Sequence, residues 1–298
     1  MTWDKRISPA APRRKKRDWT GLWFLLPSLI GVTVFVLVPF ADVVRRSFFT
    51  AMNGQFVGLA NYRALWENQA FRLAAGNTTR FMLTCIPLLI ALSLLVAALL
   101  SWNQQHTQLL KTTFLLPMAV PVASVVLLWR VMFSQQGLLN GALVSLGVIQ
   151  PEQAVDYMQS GWAFWVLVLS YLWKNLGYDM ILWLAGLANI PPSQYEAARV
   201  DGAGGWQCFW SITLPNLVPS LFTISVLSFL NAFKVFREAY LIAGDYPHTS
   251  MYLLQHLFNN WFVDLDMDKL CAAAVVVAMV IFLLILLLER SWGGGEEA

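Results

Sequence analysis

Long uncharged runs, separated by short polar stretches, set the pattern of this chain. Trp19 to Ala41 is 23 residues without a charge, and Leu270 to Leu288 is 19 uninterrupted apolar residues. A membrane-crossing helix needs about 20 such residues. The pattern predicts six transmembrane helices at about 19–44, 81–102, 112–133, 161–189, 216–236 and 269–289. The fold class is therefore an all-α integral membrane protein. A single transmembrane domain, 19–290, is expected between a basic tail, 1–18, and a short Gly-rich tail, 291–298. The first run is too long for a signal-peptide core and lacks a small-x-small cleavage site, so it reads as a retained span. Prolines Pro87, Pro117 and Pro121 fall inside predicted spans, which membranes tolerate where neighbours satisfy the freed carbonyls. Residues 42–80, 134–160 and 237–268 read as outer loops. Within the last, apolar residues at 250/251, 254, 257, 258 and 261 predict a helix lying on the membrane surface or on a partner.

Composition agrees. The chain is 58% hydrophobic and 12% charged, whereas soluble domains carry about 25% charged residues. Net charge is +3, which gives no reason to expect nucleic acid. Seven of the 20 Lys/Arg precede residue 18, with Arg13-Arg14-Lys15-Lys16-Arg17 as a run. By the positive-inside rule this holds the N-terminus, and with six spans also the C-terminus, in the cytoplasm. Outside that cluster the loops do not favour the cytoplasmic side. Trp19, Trp23, Trp102 and Trp292 fall at one predicted interface, and Trp129 and Trp162 at the other. Cys85, Cys208 and Cys271 are widely spaced and read as reduced, buried thiols. His106, His248 and His256 form no metal pattern, and no Gly-Lys pair exists to build a phosphate loop. The chain is not expected to hold a metal or cofactor, or to hydrolyse ATP itself. Asp264, Asp266 and Asp268 are the one acidic cluster, and no loop glycine or closing glutamate follows to make a calcium site. A membrane-embedded enzyme would need more acids or histidines near one interface than this.

Between the fourth and fifth spans lies a polar stretch, Ser193 to Pro215. Pro191-Pro192 stops the preceding helix, and Ser193 with Glu196 has capping-box spacing. Gly202 is placed for a left-handed cap, and Trp206, Phe209 and Trp210 share a face of a second short helix. Pro215 is placed to open the next long helix. Tyr195-Glu196-Ala197-Ala198, then Asp201-Gly202, then Ile212-x-Leu214-Pro215 resembles the EAA loop of the membrane subunits of ABC importers. Phe56-Val57-Gly58-Leu59-Ala60-Asn61-Tyr62 resembles a second segment of that family, and Phe114 to Pro117 with Pro121 resembles its third span. Phe233 to Phe236 with Tyr240 and Gly244 is similar to its passage out of span 5. Gly244-Asp245-Tyr246-Pro247 departs from the glycine run usual there. The resemblance covers about Trp19 to Arg290 and is to permeases of carbohydrate importers of the maltose and multiple-sugar type.

That resemblance implies a type I importer permease in a prokaryotic inner or plasma membrane. Its implied partners are a second homologous permease, two ATPase subunits that bind ATP and Mg, and an extracytoplasmic sugar-binding protein. Tyr195, Glu196, Ala197, Ala198, Asp201, Gly202, Ile212, Leu214 and Pro215 would couple this chain to the ATPases.

The fourth span carries Trp173-Lys174-Asn175-Leu176-Gly177-Tyr178-Asp179 near its middle. Charges at bilayer depth cost roughly 2.5–3.5 kcal/mol each and face a cavity or a partner. Lys174 with Tyr178, and Asn175 with Asp179, are four apart and share faces. Lys174 and Asp179 read either as an internal network or as cavity wall. Asn175 and Tyr178 suit a sugar, offering an amide for hydroxyls and a ring for the pyranose face. In span 5, Ser228 and Asn231 read equally as interhelical glue or substrate contacts, and Lys234 follows. With Trp173 these are the candidate pathway residues. The lysines leave an anionic sugar phosphate or uronic oligosaccharide open as substrate. An ion-coupled secondary transporter using Lys174 and Asp179 as a relay is the competing class, but it would show repeats of broken helices.

Overall fold

A computed structural model describes residues 20–102, 107–233, 235–244 and 246–292. The basic tail, Trp19, Lys234 and residues 293–298 lie outside the described residues. The first long helix is α1 (Thr20–Val32), a π-turn at Thr33–Leu37, and α2 (Val38–Arg46). Then come α3 (Ala60–Glu67), α4 (Gln69–Trp102), α5 (Thr107–Ala119), α6 (Val122–Phe133), α7 (Leu138–Ser145) and α8 (Ala163–Ala188). After them run α9 (Pro192–Val200), α10 (Gly205–Cys208), α11 (Leu214–Asn216), α12 (Val218–Phe233), α13 (Phe236–Ala243), α14 (Leu254–Val263) and α15 (Met267–Trp292). Among the described residues the only strand pairing is an isolated bridge between Phe49 and Phe56.

Helix α8 is the centre of the bundle, packed on α4, α5 and α12. Each contact has a chemical reason. Trp183, 1% exposed, donates its indole N–H to Ser93 Oγ of α4 at 3.0 Å. Trp129 of α6 donates to Ser170 Oγ at 2.9 Å, and the Tyr171 hydroxyl donates to the Ser228 carbonyl of α12 at 2.8 Å. Such bonds substitute for water inside a bilayer and are worth about 0.6 kcal/mol on average, at most about 1.7. Gly177 lets the α5 backbone approach closely: a Cβ there would lie 1.9 Å from the Phe114 carbonyl oxygen. Gly186 does the same for α12, where a Cβ would meet Ser220 Oγ at 2.3 Å.

The structure corrects several sequence expectations. Helix α4 begins at Gln69, not at residue 81, and has 34 residues. Part of the expected outer loop 42–80 is therefore helical, because Phe71, Ala74, Thr78, Phe81, Cys85 and Leu89 form one buried stripe at helical spacing that runs through Arg72 and Arg80. The third span is not continuous. It breaks at Val120–Pro121, where Pro121 is extended (φ −57°, ψ 139°) and cannot donate to the helix. Trp129 is 6% exposed and hydrogen-bonded inside, so it is no interface anchor, whereas Trp162 is 58% exposed. The helix predicted in the last outer loop exists as α14, but its apolar face (Leu254, Leu257, Trp261) packs on this chain's own Leu65, Phe71 and Ala272.

Among the described residues, five stretches are long and apolar enough to cross a membrane: Trp23–Arg46, Gln69–Ser101, Val122–Ser145, Val218–Ile242 and Met267–Leu287. Helix α8 has the length, 26 residues or about 39 Å at 1.5 Å each. Its polar middle lowers its hydropathy.

Pro39 and Pro215 are handled alike. Val38 N–H bonds the Thr33 carbonyl just before Pro39, and Leu214 N–H bonds the Phe209 carbonyl just before Pro215. Widening one turn to i→i−5 makes room for a ring that would otherwise strike the preceding turn.

Candidate functional site

Helix α4 fixes the two ends of the molecule. At its start, Asn77 donates to the carbonyls of Thr249 and Tyr252. At its other end, Ala98 and Ser101 share a cavity of about 390 Å³ with Tyr195, Arg199 and Thr213. The α9 loop therefore lies at the end of the bundle opposite the 249–252 segment.

The loop is built differently at its two ends. Pro191 caps α9 in an extended conformation and Pro192 is the first helical residue; no side chain caps the N-terminus. The Ser193–Glu196 capping box is thus not formed. The fixed φ of Pro192 starts the helix one residue before Ser193. The C-terminus is as expected. Gly202 has φ +81°, Ala203 N–H bonds the Ala198 carbonyl and Gly202 N–H bonds the Arg199 carbonyl. That pair of bonds is a Schellman motif. Glu196, Ala197, Asp201, Gly202 and Pro215 are exposed, and Tyr195, Ala198, Ile212 and Leu214 are half-buried. Val200 and Trp206 are 89% and 75% exposed, and Trp206 stacks on Phe209.

The inner face of α9 is tied to the next helical run. Tyr195 OH and Thr213 Oγ1 are 2.9 Å apart, and Asn216 Nδ2 donates to Gln194 Oε1 at 3.1 Å. Pro215 does not open that run. Helical structure extends from Gly205 almost unbroken to Phe233, with Pro215 inside it.

The far part of α12 reaches a second cavity, of about 230 Å³. It is lined by Met118 and Val235 and by the polar Ser170, Tyr171, Lys174, Asn175, Asn231 and Glu238. Met118 stands beside the break between α5 and α6. Lys174 Nζ lies 2.7 Å from Glu238 Oε1, with side chains 19% and 10% exposed. Asn175 Nδ2 donates to the Tyr171 carbonyl at 2.8 Å.

Of the predicted pathway residues, the cavity gathers Lys174, Asn175 and Asn231. Trp173 packs edge-on against Trp129, 5.7 Å between ring centres. Tyr178 is half-buried and does not line the cavity. Asp179 and Ser228 are fully buried and bonded to each other, Ser228 Oγ donating to Asp179 Oδ2 at 2.7 Å. Neither lines the cavity. The lining face of α8 is 170, 171, 174 and 175, not the pairings 174/178 and 175/179. Lys234 lies outside the described residues. Sequence reasoning missed Ser170, Tyr171 and Glu238. Glu238 has a legible signal, since it follows Asn231 and Val235 at i+7 and i+3, although residues 237–268 read as an outer loop. Among the described residues, no group of three His, Cys, Asp or Glu could hold a metal.

Residues 90–291 match the family described as "Binding-protein-dependent transport system inner membrane component". The chain is 32% identical over 259 residues to the probable ABC transporter permease protein YesP of Bacillus subtilis, covering 82% of each chain. It is 29% identical over 252 residues to the lactose transport system permease protein LacF of Rhizobium radiobacter, covering 82% of this chain and 84% of that one. A solved bacterial ABC transporter involved in the import of the acidic polysaccharide alginate contains a chain of the same fold. The TM-score is 0.80, with 22% identity over 94% of this chain and 97% of that one. The structure thus holds an open cavity beside a broken helix, and a nearly continuous helical run joining it to an exposed loop. The chain belongs to the binding-protein-dependent inner-membrane components, the permease subunits of ABC importers.

Proposed function

We propose that this chain forms half of the pathway by which a sugar or oligosaccharide, delivered by an extracytoplasmic binding protein, crosses the membrane. The observation that carries the proposal is the continuity between the two sites. The helical run from Gly205 to Phe233 is bonded at its start to the inner face of α9, through Thr213 and Asn216. It ends beside the cavity with Asn231. A push on the exposed face of α9 is thereby delivered to the cavity wall. Two ATPase subunits would supply that push, bound to Glu196–Gly202 from the cytoplasm, with the nucleotide and Mg held by them. A second permease of the same family would close the other side of the pathway. All six predicted spans, α8 included, would cross the membrane, with both termini inside. Amide and hydroxyl groups at the cavity, and a relative that transports lactose, support a sugar.

Glu196→Lys and Gly202→Pro test the coupling. Gly202 sits at φ +81°, and proline is locked near −65°. Both variants are expected to insert in the membrane but lose uptake and sugar-stimulated ATPase activity in the assembled importer. Wild-type uptake by either removes the loop from the mechanism.

A further inference from the structure

We infer that the cavity between α8 and α13 selects uncharged, hydroxyl-rich sugars and turns acidic ones away, because the lysine lining it is already neutralised. The inference rests on the reading of this cavity as part of the sugar pathway. Relatives alone leave the matter open, since one handles lactose and a transporter of the same fold handles acidic alginate.

Among the described residues, Lys174 and Glu238 are the charged side chains lining the cavity. They are paired at 2.7 Å and mostly shielded, where charges are screened far less than at the surface. An incoming carboxylate, sulfonate or phosphate would compete with Glu238 for Lys174 while standing beside the Glu238 carboxylate. In a partly dry site that like-charge contact is costly.

The remaining hydrogen-bonding capacity points the same way. Glu238 Oε1 is taken by Lys174, and one of the two Asn175 amide N–H groups by the Tyr171 carbonyl. The Tyr171 hydroxyl proton is given to the Ser228 carbonyl. That leaves Glu238 Oε2 as an acceptor, and Asn175 with its Oδ1 acceptor and its second N–H donor. The carboxylate oxygen calls for a donor on the ligand, and sugar hydroxyls are donors whereas an ionised acid group has none; the amide edge serves a hydroxyl in both directions. Sites built around hydroxyl donors reject analogues that lack them.

The experiment uses the intact importer in proteoliposomes, with its ATPases, sister permease and binding protein. Uptake is measured for neutral disaccharides and for their uronic and phosphorylated counterparts. The wild type is expected to import the neutral set. Glu238→Gln, which leaves Lys174 unpaired, is expected to shift the acidic-to-neutral uptake ratio by about tenfold or more toward acids. Lys174→Met with Glu238→Gln is expected to restore the preference for neutral sugars. The same binding protein serves every variant, so a change in ratio belongs to the permease. Preferred import of acids by the wild type overturns the inference, as does an unchanged ratio in Glu238→Gln. A shift produced by Lys234→Met, with none from Glu238→Gln, moves the selectivity to another residue and also overturns it. Should Glu238→Gln fail to assemble, the double variant and the wild-type panel decide. Import of no sugar of either charge, alongside import of another solute class, defeats the sugar reading itself, and is thereby told apart.

Discussion

Gly177→Ala is the sharpest test of how the centre of the bundle is held. The added methyl would lie 1.9 Å from the Phe114 carbonyl oxygen and 2.4 Å from its carbon. Real Cβ contacts are essentially never under 3.0 Å, so α5 and α8 must part by the difference, 3.0 − 1.9 = 1.1 Å, or more. Nothing soft lies in between, because both offending atoms are backbone. Overpacking costs about 1–3 kcal/mol, and a backbone clash belongs at the top of that range. About 3 kcal/mol is roughly a hundredfold in the folded ratio. Gly186→Ala makes the control. Its Cβ would meet Ser220 Oγ at 2.3 Å and Leu217 Cδ2 at 2.9 Å, side-chain atoms that can turn away, so its cost should be near 1 kcal/mol. The assay is thermal unfolding of the purified complex in detergent, followed with a thiol-reactive dye. Cys85, Cys208 and Cys271 are free and buried, so they label only as the chain opens. The midpoint is expected to fall in the order wild type, Gly186→Ala, Gly177→Ala, and Gly186→Ala with Ser220→Ala should return toward wild type. A Gly177→Ala midpoint equal to wild type would refute the close approach of α5 and α8.

Two further outcomes can be checked by the same assay. Leu265 sits at φ +58° in a Schellman turn, where Asp266 N–H bonds the Trp261 carbonyl; it is 72% exposed. Leu265→Gly should stabilise by about 1 kcal/mol by relieving the left-handed backbone, and a lowered midpoint would mean its side chain holds something. Trp183→Phe should cost about 0.6–1.7 kcal/mol by deleting the bond to Ser93 inside the bundle; no change would show that packing alone seats the ring.

The membrane class, the approximate helices and the interhelical loop were legible because each rests on a strong local pattern: uncharged length, proline breaks, and Gly202 where φ must be positive. Part of what escaped is local, and part depends on contacts distant in sequence. Arg72 and Arg80 mask the start of α4, because a charge reads as the end of a span while the buried stripe from Phe71 to Leu89 runs past it. Local spacing offered Ser193 as a cap, but Pro192 had already set the turn. Spacing alone does not fix the cavity face of α8, since a helix midsection with polar residues at 174, 175, 178 and 179 has no unique inward side. Only the position of Glu238, 64 residues beyond Lys174, picks one.

The helical run through α10, α11 and α12 has a mechanical corollary. Its tight contact with α8 lies where Ser220 meets Gly186. From there Thr213, which is bonded to α9, is seven residues away, about 10 Å, and Asn231 is 11 residues away, about 16 Å. Treated as a seesaw on that fulcrum, a tilt of about 10° would sweep the near arm by about 2 Å and the far arm by about 3 Å. The stroke would be lengthened and the thrust lowered in the same proportion.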